Sequence, residues 1–321
     1  MLVLSRRDVE ELLDLEALID ALASAMVDLS AGRASLPNRI AATVEEHDGL
    51  LAAMPAYAPG VGALTTKLVS LFPRNAGTEL PTHQAVIAVF DPETGEPVAL
   101  VDGTSITALR TAAGSALSAR LLAREDAGVL AILGTGVQAR SHAQLMPLVR
   151  NFDEIRIAGR RREAAEELAA ELGGVAAASF EEAIRGADVV CAATHALEPV
   201  VRGEWLSPGT HVTSVGYDPA GRELDDATVE RARIFVELRD AVLAPVPAGS
   251  PDLTEPLAAG LIDAADVHEI GEVIAGDAPG RQSADEITLY KSVGVGVQDA
   301  AAAALVLEAA RERGAGREID L

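Results

Sequence analysis

Two hydropathy patterns divide the chain. From residue 128 onward, short apolar runs alternate with stretches whose apolar positions recur at helical spacing. The run at 129–133, VLAIL, is apolar throughout and bounded by glycine, the pattern of a strand covered on both faces. Further strands are expected at 154–158, 188–193, 211–215 and 234–236, with helices near 138–149, 162–172, 180–185 and 226–231. This alternation predicts a doubly wound parallel sheet. Beyond the Pro-rich loop APVPAGSP, short helices are expected at 256–259 and 270–274, and one closing helix over 288–313.

Before residue 103 the pattern differs. Residues 5–29 have the spacing of one acidic amphipathic helix. Strand-like runs follow, ALTTKLVSLFP, HQAVIAVFD and EPVALVDG among them, joined by turn signals such as PETGEP. They predict a mainly antiparallel sheet. Asp102-Gly103-Thr104 ends it, and Ser105 can cap a long Ala-rich helix, 106–123, that carries Arg110. The closing helix returns to this first region, so the parallel-sheet domain is expected to be inserted into a discontinuous α+β domain. The expected division is 1–116 with 296–321, and 117–295.

The turn after the first parallel strand, Gly134-Thr135-Gly136, leads into a helix expected to open near Gln138, and Ala139 is small enough for close packing. Glycines there permit a tight turn and close approach of a pyrophosphate to the helix N-terminus, so a dinucleotide site is expected. The second strand runs into Gly159-Arg160-Arg161-Arg162 with no carboxylate at its end. A guanidinium there suits a 2′-phosphate, so the phosphorylated cofactor is favoured over NADH.

Composition narrows the classes. The 321 residues suffice for two domains, and a net charge of −23 argues against nucleic acid. No apolar run is long enough to span a bilayer, and the N-terminal region lacks the apolar core of a signal peptide. Cys191 stands alone in an apolar run, which excludes an internal disulfide and a cysteine metal cluster and points to a cytoplasmic protein. Only Lys67 and Lys291 are lysine among 26 basic residues, which marks them as positions where arginine does not serve.

Lys67, Arg39 and Arg110 are cations in apolar surroundings. On the residues alone they either converge on a carboxylate site or are three unrelated surface charges. Asp218 follows a parallel strand, where it could be an acid–base group or a turn aspartate before Pro219. Thr194-His195 ends another strand and is expected to line the cofactor cleft. His83 and His195 suggest no metal site by their spacing.

The strings MPAY, ALTTKLVSLF, PTHQAVIAVF, DGTSITALRTAAGSALSA, ILGTGVQARSH, THALEP, VTSVGYDPAGRELD, GRQSADEIT, LYKSVG and GREIDL follow one another in order. Together they resemble the ornithine cyclodeaminase/mu-crystallin family, which includes archaeal-type alanine dehydrogenases and ketimine reductases. The resemblance implies an NAD(P)-dependent enzyme acting at the α-carbon of an amino or imino acid, working as a homodimer or higher oligomer. Arg39 and Lys67 are then expected to bind the substrate carboxylate with Arg110 beside them, and Asp218 to be the acidic catalytic residue. Thr135, Gly136, Val137 and Gln138 should wrap the pyrophosphate, and Ser292 and Val293 should close over the nicotinamide. The loop after Asp218 is a residue shorter than in the cyclodeaminases, and Arg222 stands where the family has a lysine. A non-catalytic NADPH- and ligand-binding protein resembling mu-crystallin is the alternative.

Overall fold

Asp14 shows at once how local chemistry overrides the hydropathy pattern. Its side chain accepts a hydrogen bond from the Ala17 N–H at 3.0 Å and starts a new helix. The single N-terminal helix expected over 5–29 is therefore two, α1 (Arg6–Leu12) and α2 (Leu15–Ser30), preceded by strand β1 (Leu2–Leu4). The computed structural model describes residues 1–320. They form two compact units, Met1–Arg110 with the chain from Val295 onward, and Thr111–Gly294. The division falls at Arg110 within helix α3 (Gly103–Leu122), above the 116/117 expected on the same helix. The cap of α3 is also corrected, because Asp102 rather than Ser105 supplies it, accepting from the Ser105 N–H at 2.8 Å.

In the first unit, β1 joins β2 (Ile40–Val44), β3 (Gly49–Ala58), β4 (Ala63–Leu71), β5 (His83–Phe90), β6 (Pro97–Asp102) and the terminal β15 (Arg317–Glu318). The sheet order is β15-β1-β6-β5-β4-β3-β2, antiparallel except where β1 meets β6. The two-residue period gives each strand an inner and an outer side. Met54, Thr65, Lys67, Val69 and Ile87 are buried beneath helix α11 (Gly296–Arg313), which also packs on α2. Ile40, Leu51, Leu68 and Val86 stay exposed, with Leu68 in register with Ala53 and Val86.

The second unit alternates β7 (Val129–Leu133), α4 (Val137–Leu145), β8 (Glu154–Ala158), α5 (Arg162–Leu172), β9 (Val175–Ala176), α6 (Phe180–Ile184) and β10 (Val189–Ala192). It continues through β11 (His211–Ser214), α7 (Asp226–Arg231), β12 (Ala232–Val236), α8 (Arg239–Val242), α9 (Pro251–Ala258), β13 (Val267–Glu269), α10 (Ile270–Ala275) and β14 (Ile287–Lys291). All strands are parallel in the order β13-β12-β14-β11-β10-β7-β8-β9, a doubly wound Rossmann sheet whose order reverses between β7 and β10. Here the expected closing helix over 288–313 is corrected. Its first part is β14, inserted between β11 and β12, and α11 begins only at Gly296. A fully buried parallel strand has no alternation, so its apolar run merged with that of the helix. No helix among the described residues is long and apolar enough to cross a membrane.

Candidate functional site

Lys67 lies midway along β4 with its side chain turned inward and 2 % exposed. Its Nζ stands 2.7 Å from Asp299 Oδ2. The other carboxylate oxygen of Asp299 accepts from Arg110 Nε at 3.1 Å, and Arg110 Nη1 donates to Gln298 Oε1 at 3.0 Å. Two buried cations thus share one carboxylate, presented from the first turns of α11. Burial pulls the Lys67 ammonium down to about 8; Arg110 and Arg39 add to this, while Asp299 opposes it. Burial alone would raise Asp299, but Lys67 and Arg110 hold it below the usual carboxylate range. His83, at the start of β5, is lowered to about 4 by burial and then by the same two cations, so its ring is neutral at physiological pH. Arg39 is exposed just before β2, close enough for its charge to act on Lys67. Such an excess of desolvated positive charge suits a small carboxylate.

In the second unit, Gly134 has φ +122°, and a Cβ there would lie 2.5 Å from the Ala193 carbonyl oxygen. Only glycine fits this turn. Gly136, the N-cap of α4, faces open space, with nothing within 4 Å of where a Cβ would stand. Beside it Val137 is 67 % exposed, and Gln138 Oε1 is buried without a partner. An open cradle at a helix N-terminus, whose free backbone N–H groups point outward beside an exposed apolar residue, fits a dinucleotide pyrophosphate. At the end of β8, Arg160 and Arg161 are exposed, and Arg162 pairs with Glu166 at 2.7 Å.

Five more of the expected residues, Thr194, His195, Asp218, Ser292 and Val293, also lie at strand ends of this unit. Thr194 donates through both N–H and Oγ1 to Glu223 Oε1, each at 2.7 Å. The other oxygen of Glu223 accepts from Ser214 Oγ at 2.7 Å and the Gly216 N–H at 2.8 Å. Asp218 is half-buried, and its Oδ1 accepts from the Ala220 N–H at 2.9 Å, the bond of an Asx-type turn. Ser292 Oγ donates to buried Glu237, which also accepts from the Gly294 N–H at 2.9 Å and the Val293 N–H at 3.3 Å. His195 Nδ1 lies 3.0 Å from the Tyr217 carbonyl oxygen. Burial pushes the Cys191 thiol up to about 12, so it is inert.

The structure therefore brings Lys67, Arg110 and Asp299 together in the first unit with Arg39 in electrostatic reach, while Asp218 belongs to the second. Sequence reasoning missed Asp299, Gln298, Glu223 and Glu237. Asp299 carried a readable signal, since a carboxylate inside GVQDAAAAALV is as anomalous as Lys67 inside its apolar strand. Glu223 and Glu237 carried none, because Thr194 lies 29 residues from Glu223 and Ser292 lies 55 from Glu237.

The chain is similar to several known proteins. The sequence pattern of the ornithine cyclodeaminase/mu-crystallin family matches residues 1–314. The ketimine reductase mu-crystallin of Mus musculus is 40% identical over 91% of both chains. The solved structure of Thermococcus litoralis Delta(1)-pyrroline-2-carboxylate reductase in complex with NADH and L-proline superposes with a TM-score of 0.93 at 38% identity, covering 99% of this chain and 100% of that one. An archaeal alanine dehydrogenase dimer with bound NAD gives a TM-score of 0.91 at 33% identity, covering 100% and 99%.

Proposed function

The chain belongs to the ornithine cyclodeaminase/mu-crystallin family, and from that premise we propose that it is an NAD(P)-dependent enzyme reducing a small imino acid at its α-carbon. The observation that carries this reading is the pair of buried cations, Lys67 and Arg110, sharing the single carboxylate of Asp299. Desolvating two cations against one anion is costly unless a second anion completes the site. The α-carboxylate of the substrate is that anion, held by Lys67, Arg110 and Arg39. Gly134, Thr135, Gly136, Val137 and Gln138 hold the pyrophosphate, with Thr194, Ser292 and Val293 along the rest of the dinucleotide. The nicotinamide, when bound, supplies the hydride or accepts it in the reverse direction. Asp218 stabilises the iminium and passes the proton between the substrate nitrogen and water.

Reduction of a cyclic imine is favoured over cyclodeamination or oxidative deamination because the similar mu-crystallin and pyrroline-2-carboxylate reductase carry that activity in their names. The outward face with Leu51, Leu68 and Val86 is assigned to a second copy of the chain. The test is a panel of cyclic imines, proline, alanine, ornithine and lysine, followed by nicotinamide absorbance and ammonia release. Cyclic imines are expected to turn over without ammonia release. Lys67→Arg should lose kcat/KM by a factor on the order of a hundred, because a planar guanidinium does not fit the slot. Dinucleotide binding without turnover would leave the binding-protein alternative standing. A monomer by sedimentation of the same sample at micromolar concentration would refute the dimer.

A further inference from the structure

The second lysine, Lys291, is fully buried at the end of β14 and belongs to a network the carboxylate site does not use. Its Nζ donates to Ser214 Oγ at 2.9 Å and the Gly216 carbonyl at 2.8 Å, and pairs with Asp252 Oδ2 at 2.7 Å. Three acceptors converging on one nitrogen suit a tetrahedral ammonium and not a planar fork, which accounts for lysine at this position. Asp252 Oδ1 accepts from the backbone N–H groups of Glu223 and Leu224 at 2.8 and 3.0 Å. Ser214 Oγ accepts from Lys291 and donates to Glu223, so every hydrogen has one direction around the ring.

Glu223 is the point of convergence. It is 2 % exposed and its carboxylate accepts four hydrogen bonds, two from Thr194 at the end of β10 and one each from Ser214 and Gly216 at the end of β11. Its carbonyl oxygen accepts from Val200 and Val201, both at 2.9 Å, so the backbone is anchored as firmly as the side chain. Gly216 passes so close that a Cβ would lie 2.2 Å from the Thr194 carbonyl oxygen. In doubly wound sheets, ligands bind outside these carboxyl ends.

We propose that Glu223, anchored by Asp252 and Lys291, is a positioning residue for the reaction. Its carboxylate ties the Thr194 segment to the Ser214–Gly216 strand end and so sets the loop that carries Asp218. The proposal rests on the function proposed above, since it gives that loop and Thr194 their purpose. A fully satisfied network of this kind fixes one geometry, and replacing one carboxylate oxygen with an amide puts donor against donor.

The test uses the full chain and its Glu223→Gln variant, titrated with NADPH and NADH by fluorescence and assayed with a cyclic imino acid. Stoichiometry should stay at one dinucleotide per chain while the dissociation constant rises about tenfold and kcat falls by a similar factor. A merely structural defect would instead lower the stoichiometry and leave the dissociation constant unchanged. Ser214→Ala removes only the bridging hydroxyl and guards against a Glu223→Gln variant that fails to fold; it should raise the constant about threefold. Unchanged constants and kcat in the folded variants overturn the proposal. An unaltered chain that binds neither dinucleotide overturns the functional reading instead.

Discussion

The chain's two lysines are equally buried and chemically opposite. Lys67 meets one carboxylate, Asp299, which it shares with Arg110, so positive charge is in excess. Lys291 has all three N–H groups engaged and stands near two carboxylates, Asp252 directly and Glu223 through Ser214. The first arrangement is incomplete without an anion, while the second is closed. Burial by itself therefore says nothing about function. What separates a binding lysine from a structural one is whether its donors and its charge are spent inside the protein.

The sharpest way to break this comparison is to replace both lysines by methionine and measure stability in urea. Lys291→Met leaves the buried Asp252 carboxylate without its cation and removes donors from Ser214 and Gly216, so a loss of about 3–5 kcal/mol is expected. Lys67→Met leaves Arg110 on Asp299 and relieves cation crowding, so stability should stay within about 1 kcal/mol of the unaltered chain while turnover is lost. Equal losses at the two positions would show that Lys67 is structural as well.

A smaller effect comes from pH. Lys67 is drawn to about 8 from an ordinary 10.5, chiefly by burial. Between those values the unfolded chain binds more protons than the folded one, so this group's contribution to stability rises as pH climbs from about 8. Affinity for the substrate carboxylate moves the other way, because the ammonium that binds it is lost through the same range. Followed together from about pH 6 to about pH 10, the affinity for L-proline should fall while the urea midpoint rises above pH 8. An affinity that stays flat through that range would mean Lys67 keeps its proton.

Much of the second unit was legible because five-residue apolar runs bounded by glycine leave few alternatives, as at β7 and its Gly134–Gly136 turn. The antiparallel sheet around β4 was legible for a different reason, strand-like runs joined by turn signals such as PETGEP. What failed were boundaries decided by a single polar side chain, Asp14 before α2 and Asp102 before α3, and the hidden strand β14. At the candidate site the cations could be picked out because charge in an apolar run is conspicuous. Their partner Asp299 and the strand-end carboxylates Glu223 and Glu237 could not be paired with anything, because hydrogen-bond partners distant in sequence leave no local period. The two lysines looked alike in sequence; only the count of acceptors around each Nζ tells them apart.

The end of β8 offers the smallest effect and the finest discrimination. An NAD-selective site places a carboxylate at this strand end to accept hydrogen bonds from the ribose hydroxyls. Here Gly159 is followed by Arg160 and Arg161, both exposed, while Arg162 is committed to Glu166 one helical turn on. The nearest downstream carboxylate, Glu163, already lies in the first turn of α5. A 2′-phosphate brings about two negative charges and three acceptor oxygens, which Arg160 can bind through forked, charge-assisted hydrogen bonds with Arg161 beside it. NADPH should therefore bind about tenfold more tightly than NADH at moderate salt, and the margin should shrink as ionic strength rises. Arg160→Asp should erase or reverse the preference by repelling the phosphate and accepting from the free ribose. Both dissociation constants, measured at one ionic strength for the unaltered chain and the variant, decide the matter. Tighter NADH binding by the unaltered chain would mean that the three arginines are an ordinary solvated surface run.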